Sequence, residues 1–281
     1  MKFFGTKNIK IFVEQILTLK KDELKSKIVI DIPAGTGYST RILQKLGAQV
    51  EPYDLFPEIF KVNGLKCKEA DLSEEIPLAD NYADYILCQE GIEHLPDQLH
   101  MFKEFNRILK KGSILLLTTP NYSMLRSKLS YFLSESEYSY KLMPPNELDS
   151  IWFSDHKKPE IYFGHIFPIG IQKLRILARI SGFKINKIHH LRINNTSFIL
   201  LLFFYPFILM INIFSYLKAM HKKQKIEKDK RKHVYREILK LSIDPRILVG
   251  GHLFVEFEKE YELNEANLIL KTKYTDFNIV T

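Results

Sequence analysis

The chain has 281 residues, 46% apolar and 26% charged, a balance that excludes a disordered polymer and leaves room for one sizeable core with a lobe. Its two cysteines, Cys67 and Cys88, are too few for a disulfide framework and fit a reducing cytoplasmic compartment, and the opening residues lack the apolar core and cleavage site of an export signal. The net charge of +8 is local: between Lys218 and Lys240 ten Lys or Arg stand against three acids, so the remainder is about neutral. A lysine run directly behind an apolar segment fits anionic lipid, whereas nucleic-acid binders spread arginines and aromatics over a folded face.

In chain order, Asn8 to Lys20 places Ile9, Phe12, Val13, Ile16 and Leu17 at helical spacing. A first strand is expected at Ile28 to Ile32, a helix from Ser39 to Leu46 stopped by Gly47, and a second strand from Ala48 to Tyr53 ending at Asp54. A third strand around Leu65 to Ala70 ends at Asp71, and a fourth covers Asp84 to Cys88. An amphipathic helix follows from Gln98 to Leu109, then a fifth strand from Ser113 to Thr118. Asn121 to Pro168 has no strand and helix rhythm and reads as an acceptor lobe, with Tyr122, Arg126, Tyr131, Trp152 and Tyr162 either lining a pocket or forming the lobe's own core. Ile171 to Ile180 is a helix, Phe183 to Leu191 a sixth strand and Leu248 to Glu258 a seventh. The expected parts are therefore 1–121, the lobe 122–168, 169–194 with strand six, an apolar and basic insert 195–245, and 246–281.

Strands alternating with helices predict an α/β, doubly wound parallel sheet, whose ligands bind outside the carboxyl ends of the strands at the switch in strand order. Asp31, Asp54 and Asp71 close three successive strands and are expected to face one crevice, each with the alternative of a solvated strand end or helix cap. In the turn after the first strand, Gly35 and Gly37 allow positive φ and close approach of a ligand to bare backbone. Pro33 sits inside that turn and removes one N–H.

VIDIPAGTG, the acid in VEPYDLF, EADLSEEIPLADNYADYILCQEGIEHLPD and RILKKGSILLLTTPN occur in that order over residues 27–121, and GHLFVEFEK ends the sheet at 251–259. This set resembles the class I S-adenosylmethionine-dependent methyltransferases, which implies a seven-stranded Rossmann-like sheet and S-adenosylmethionine as cofactor. The resemblance implies that Asp31, Ala34, Gly35 and Gly37 surround the methionine part and that Asp54, with Leu55, holds the ribose. It implies that Asp71 with Leu72 frames the adenine and that Gln89 lies beside the donor. The chain departs from the family at Pro33, where the family usually has a glycine, and this lowers the expected donor affinity. A nicotinamide dehydrogenase would use the same turn, but CQEGIEHLPD and KKGSILLLTTPN have no role there.

For chemistry, His94 lies just past the fourth strand with an imidazole suited to removing a hydroxyl proton, or else is a loop histidine capping the next helix. His165 in YFGHIFP is a second candidate on the acceptor side. Glu90, Glu93 and His94 resemble the acidic-histidine patch of quinone-biosynthesis O-methyltransferases, which can hold a divalent metal; a partly formed patch serves equally as support, and no metal ligand is assigned.

Phe198 to Leu217 is uncharged over a length that could span a bilayer. Strand seven must rejoin the sheet on the side of strand six, so the segment is expected to enter and leave on one side, with Pro206 breaking it into a shallow hairpin. The expected protein is peripheral or monotopic at the inner face of the cell membrane, its partners an anionic lipid surface and a lipid-linked or amphipathic acceptor, with no nucleic acid. A buried hairpin or a dimer interface is the alternative, and the sequence does not set the oligomeric state. The layout also resembles bacterial methyltransferases of surface-polysaccharide biosynthesis, which implies a sugar hydroxyl as acceptor; a quinone-type phenol and a non-catalytic scaffold are the alternatives.

Overall fold

A computed structural model describes residues 9–137, 142–153, 161–190, 193–221 and 228–272. Helix α1 (Ile9–Leu19) and the short α2 (Lys21–Leu24) lead into β1 (Ile28–Asp31), α3 (Tyr38–Lys45), β2 (Gln49–Asp54), β3 (Lys68–Glu69), β4 (Ala83–Gln89), α4 (Gln98–Ile108) and β5 (Leu109–Pro120). Then follow α5 (Leu125–Ser134), α6 (Glu147–Ser150), the hairpin strands β6 (Ile151–Phe153) and β7 (Ile161–Phe163), α7 (Ile171–Ile180) and β8 (Phe183–His189). The chain continues through α8 (Asn195–His221), α9 (Lys228–Ile243), α10 (Pro245–Val249), β9 (His252–Lys259) and α11 (Leu263–Thr272).

Seven strands form one sheet in the order β3-β2-β1-β4-β5-β9-β8. β1 to β5 pair in parallel, and β9 runs antiparallel to both of its neighbours. This is the Rossmann-like sheet expected from the strand and helix alternation. Its central strands read as unbroken apolar runs because both faces are covered. Ile30, Ile86, Leu115, Leu117, Val255 and Phe257 pack in one layer with Phe102 and Phe105 of α4 and Leu174 of α7. Val29, Leu87, Leu116 and Phe254 pack in the other with Val13 and Leu17 of α1 and Leu43 of α3. Adjacent residues thus serve opposite cores, as the two-residue strand period requires.

Several boundaries differ from the sequence reading. The third strand shrinks to the edge pair Lys68–Glu69. The expected seventh strand starts later, because the Asp244 side chain accepts the Arg246 N–H and Pro245 opens a helical turn, α10, ahead of β9. Residues 122–168 are not without regular structure, since β6 and β7 pair antiparallel with Trp152 opposite Tyr162. Leu191, at the end of the expected sixth strand, lies outside the described residues.

The largest correction concerns the apolar insert. Pro206 does not break it: α8 runs through as one helix of 27 residues. Pro206 sits on an exposed face and removes one backbone donor, while α9 alongside holds the two halves in line. Tyr205 donates its hydroxyl to the Ile243 carbonyl at 3.1 Å, and Arg231 donates to the Met220 carbonyl at 3.0 Å. The hairpin is therefore α8 against α9, and part of the basic run forms its return leg. β8 ends and β9 begins at the edge where the parallel strands end, with His252 opposite Pro120.

Phe102 is fully buried edge-on against Phe183 and Phe257, with ring centroids 6.1 and 5.5 Å away. Phe102→Ala is expected to cost about 3–5 kcal/mol of stability, measured by urea unfolding.

Candidate active site

A cavity of about 380 Å³ opens at the carboxyl ends of β1, β2 and β4. This is the switch point of the sheet, because β2 leaves β1 on one side and β4 on the other. Ile32 and Pro33 form one wall, Asp54, Leu55 and Phe56 a second, and Ala70, Asp71, Leu72 and Ser73 a third. Glu90, Gly91, His94, Leu95 and Pro96 close the far side, and Ile161, Tyr162 and Phe163 of β7 cover it. The roof is tied down by Tyr162 packing edge-on against Phe56, with centroids 5.0 Å apart, and by Gln98, whose amide donates to the carbonyls of Ile92 and Phe167.

Of the three acids expected in one crevice, Asp54 and Asp71 line the cavity and Asp31 does not. Asp54 is nearly buried, its Oδ2 accepting the Gly35 N–H at 2.7 Å and its Oδ1 the Phe56 N–H at 2.8 Å. A carboxylate oxygen has a second lone pair, so each can still accept from a ligand. Asp71 accepts the Ser73 N–H at 2.7 Å. Asp31 instead points beneath α3, where Thr40 Oγ1 donates to its Oδ2 at 2.5 Å and its Oδ1 has no protein partner. Complete burial pushes its pKa up to about 7, against the Thr40 hydrogen bond and helped by the charge of Asp54.

The glycine turn is also more self-contained than expected. The Ala34 N–H goes to the Tyr53 carbonyl, the Gly35 N–H to Asp54, and the Gly37 N–H to the Ala34 carbonyl. A Cβ on Gly37 would come within 2.7 Å of the Phe60 ring, so this glycine admits the loop after β2. Gln89 donates to Ser39 Oγ and is likewise absent from the cavity wall. Ala34, Gly35, Gly37 and Gln89 thus do not line this cavity, whereas Leu55 and Leu72 do. Pro33, the departure in the turn, is itself wall, and Gly91 lies so close that a Cβ there would come within 2.9 Å of its ring.

The far side gathers the titratable groups. His94 Nδ1 lies 2.7 Å from the Phe163 carbonyl, which can only accept, so Nδ1 carries the proton and the neutral ring's basic atom is Nε2. The His165 ring stands edge-on to His94, with centroids 4.7 Å apart. Desolvation and then His94 hold His165 below its ordinary pKa, with Glu90 opposing. Glu93 is 1% exposed; Thr119 Oγ1 donates to its Oε2 at 3.0 Å, and its Oε1 is buried without a hydrogen-bond partner. Burial first, then the charge of Glu90, pushes the Glu93 carboxyl well above the usual range. Glu90 has a left-handed φ of +50°, a strained conformation for a residue with a side chain. Thr118 Oγ1 donates to it at 3.0 Å, and His252 Nε2 lies 3.5 Å away. Ligand atoms of Glu93, His94 and His165 lie within 4.8 Å of one another, a donor set of two nitrogens and a carboxylate that suits a divalent cation.

Of the aromatic residues expected to meet an acceptor, Tyr162 lines the cavity, while Tyr122 and Tyr131 pack on each other at 6.5 Å. The Arg126 backbone N–H donates to Ser197 at the start of α8, and the Trp152 side chain lies outside the described set. Sequence reasoning missed Phe56, Pro96, Ile161 and Phe163. Phe56 carried a signal, lying two residues past the acid of β2; the roof strand is three residues long and has too short a period to read.

A family model described as a methyltransferase domain matches residues 7–187, more than half of the chain, and the chain belongs to that family. A ubiquinone biosynthesis O-methyltransferase of Xanthomonas campestris pv. campestris is 32% identical over 130 residues, covering 41% of this chain and 52% of that protein. One of Xanthomonas euvesicatoria is 32% identical over 136 residues, covering 43% and 54%. The chain thus spans about half the length of the curated relatives it matches. Among solved structures, an S-adenosylmethionine-dependent methyltransferase from Archaeoglobus fulgidus superposes with a TM-score of 0.52 at 17% identity, over 89% of this chain and 94% of that one. The YcgJ protein of Bacillus subtilis gives 0.50 at 13% identity, over 89% and 99%. At such identities the likeness is one of fold.

Asp31 generates a pH test. Its folded pKa of about 7 lies above the ordinary carboxyl value of 3.8, so the folded state binds the proton more tightly. Its stabilising contribution is complete below about pH 4 and is lost as pH rises through 7. Asp31→Asn, which keeps the shape and stays neutral, is expected to gain stability relative to the wild type as pH rises from 4 to 7. Urea midpoints of both proteins across that window measure it; parallel curves would leave Asp31 ionised in the fold.

Proposed function

We propose that the chain is an S-adenosylmethionine-dependent O-methyltransferase acting on the hydroxyl of an amphipathic acceptor. One observation carries the reading: a single cavity joins two strand-end carboxylates and an apolar wall at one end to a histidine of fixed tautomer at the other. The residues present fit the cofactor. Asp54 would accept from the ribose hydroxyls, and Ile32, Leu55, Ala70 and Leu72 would offer apolar walls for the adenine, with Asp71 available to its polar groups.

Bound S-adenosylmethionine supplies a methyl group on a positively charged sulfur, electrophilic towards an oxygen nucleophile. The protein's part is to hold, orient and exclude water, and to move one proton. His94 Nε2 takes the acceptor's hydroxyl proton as its oxygen becomes the ether, and Nδ1–H stays bonded to the Phe163 carbonyl, which keeps the resulting imidazolium in place. Glu93, His94 and His165 would hold a divalent cation if one binds, where it would lower the pKa of an acceptor hydroxyl.

A sugar hydroxyl on a lipid-linked glycan is the leading acceptor, supported by the uncovered apolar helix α8 beside the catalytic edge. A quinone-type phenol is the second reading, favoured by the relatives named as ubiquinone biosynthesis O-methyltransferases.

Calorimetry tests the cofactor half. The protein is expected to bind S-adenosylmethionine, and Asp54→Ala to weaken it by about 1.5–3 kcal/mol through loss of a charged hydrogen bond. Unchanged affinity would take Asp54 out of the site, and binding of a nicotinamide nucleotide in place of the sulfonium would overturn the reading. His94→Ala is expected to lower turnover by ~10²–10⁴-fold while donor affinity stays within a factor of two or so of wild type. Turnover that survives His94→Ala but is lost to a chelator would transfer the proton step to a metal-bound hydroxyl.

A further inference from the structure

Helix α8 is apolar and almost wholly uncovered: of its 27 residues, only Ser197 is buried among those whose burial is described. Phe203, Phe207, Met210, Phe214 and Leu217 recur at helical spacing on one face and are 69%, 58%, 60%, 66% and 49% exposed. A stripe of that size in water is unfavourable by the apolar area it leaves hydrated. The opposite side of α8 rests on α9, which is fixed to the body of the molecule. Gln172 of α7 donates to the Ile238 carbonyl at 2.9 Å, and Glu237 pairs with Arg175 and Arg179 at 3.5 and 3.4 Å.

That arrangement decides between crossing a membrane and lying on one. A helix of 27 residues is about 40 Å long and could cross. Crossing would drag α9, paired along it from Tyr205–Ile243 to Met220–Arg231, into hydrocarbon with its arginines and lysines, each strongly disfavoured there. Lying flat immerses only the outer stripe and leaves α9 on the wet side. Charge agrees: Lys218, Arg236 and Lys240 are exposed at or beside the helix, where anionic headgroups would meet them.

The position of α8 ties this surface to the site. β8 leads into α8 from the catalytic edge, and the excursion returns there at His252, 3.5 Å from Glu90 on the cavity wall. Ser197 at the head of α8 accepts the N–H of Arg126 in α5, which leaves the same edge after β5.

We propose that α8 lies flat in one leaflet of an anionic bilayer, and that the acceptor enters the cavity from that leaflet at the edge where α8 is rooted. The acceptor clause rests on the methyltransferase reading; the bilayer surface does not.

Flotation of the full chain with vesicles tests the surface. Wild type is expected to float with phosphatidylcholine vesicles containing phosphatidylglycerol, less with phosphatidylcholine alone, and high salt should weaken binding without abolishing it. The triple variant Phe203→Glu, Phe207→Glu, Phe214→Glu should remain in solution. Its affinity for S-adenosylmethionine, measured without vesicles, should equal that of wild type, which also establishes that it folds. Should that variant misfold, Lys218→Ala, Arg236→Ala, Lys240→Ala is expected to lose about fivefold in binding to the anionic vesicles per charge removed. Wild type staying in solution, with light scattering reporting a dimer that the triple variant turns into a monomer, would overturn the proposal and assign the stripe to a second copy. For the acceptor clause, vesicles of total bacterial lipid with methyl-labelled donor should take label into the organic phase with wild type and far less with the triple variant; label only in water-soluble products would overturn it. Flotation without donor binding would sink the methyltransferase reading and leave the surface standing.

Discussion

The carboxyl edge of the sheet has to hold Asp31, Asp54, Glu90 and Glu93 close together, and the repulsion and desolvation of these acids shape everything built on it. Each has its own donor: Thr40 for Asp31, two backbone N–H groups for Asp54, Thr118 for Glu90 and Thr119 for Glu93. The donors do not restore full hydration, and burial still drives Asp31 and Glu93 towards their neutral forms. A site of this kind favours a positively charged occupant, because a cation makes the ionised forms cheaper to bury. The sulfonium of the proposed cofactor is such a group, so the electrostatics and the cavity support one reading independently of the glycine turn.

Coupling across the cavity runs through the roof. Phe163 gives its carbonyl to His94 and belongs to the same short strand as Tyr162, which packs on Phe56 beyond Asp54. The ring that would take the proton and the segment that would hold the nucleoside are therefore spanned by one strand of three residues. Displacing β7 would alter the two ends together.

The fold was legible in the sequence for a physical reason. Strands covered on both faces leave unbroken apolar runs, and α4 and α7 show a clean stripe because they cover one face of the sheet. The acids at the strand ends were legible as a set, but not their separate destinations. Asp31 and Asp54 carry the same signal in sequence; only the tertiary placement of Thr40 over β1, and of Gly35 against β2, separates a buried strut from a wall residue. Likewise Gly37 announced close approach without naming its partners, which are Val62 and Phe60 of the loop after β2. Gly91, which the sequence reading did not single out, fits against Pro33, a pairing visible only once β1 and β4 stand side by side.

For α8 the division is sharper still. Its lack of charge was plain in the sequence, and so was the basic run behind it, but a proline in the middle pointed to a break. Helix interiors do lose a hydrogen bond and suffer a clash at proline. That local penalty is a few kcal/mol, whereas a partner helix running alongside adds packing over many residues, with anchors at Tyr205 and Arg231 on either side of the remaining turns. Tertiary support therefore outweighs the local rule, and it also leaves one face of the helix uncovered. A broken hairpin would have buried both short legs in lipid, but a continuous helix backed by a charged one can present a single face. In the proposed placement, the sequence feature that looked like a membrane anchor would serve instead as a keel, setting which edge of the sheet faces the bilayer.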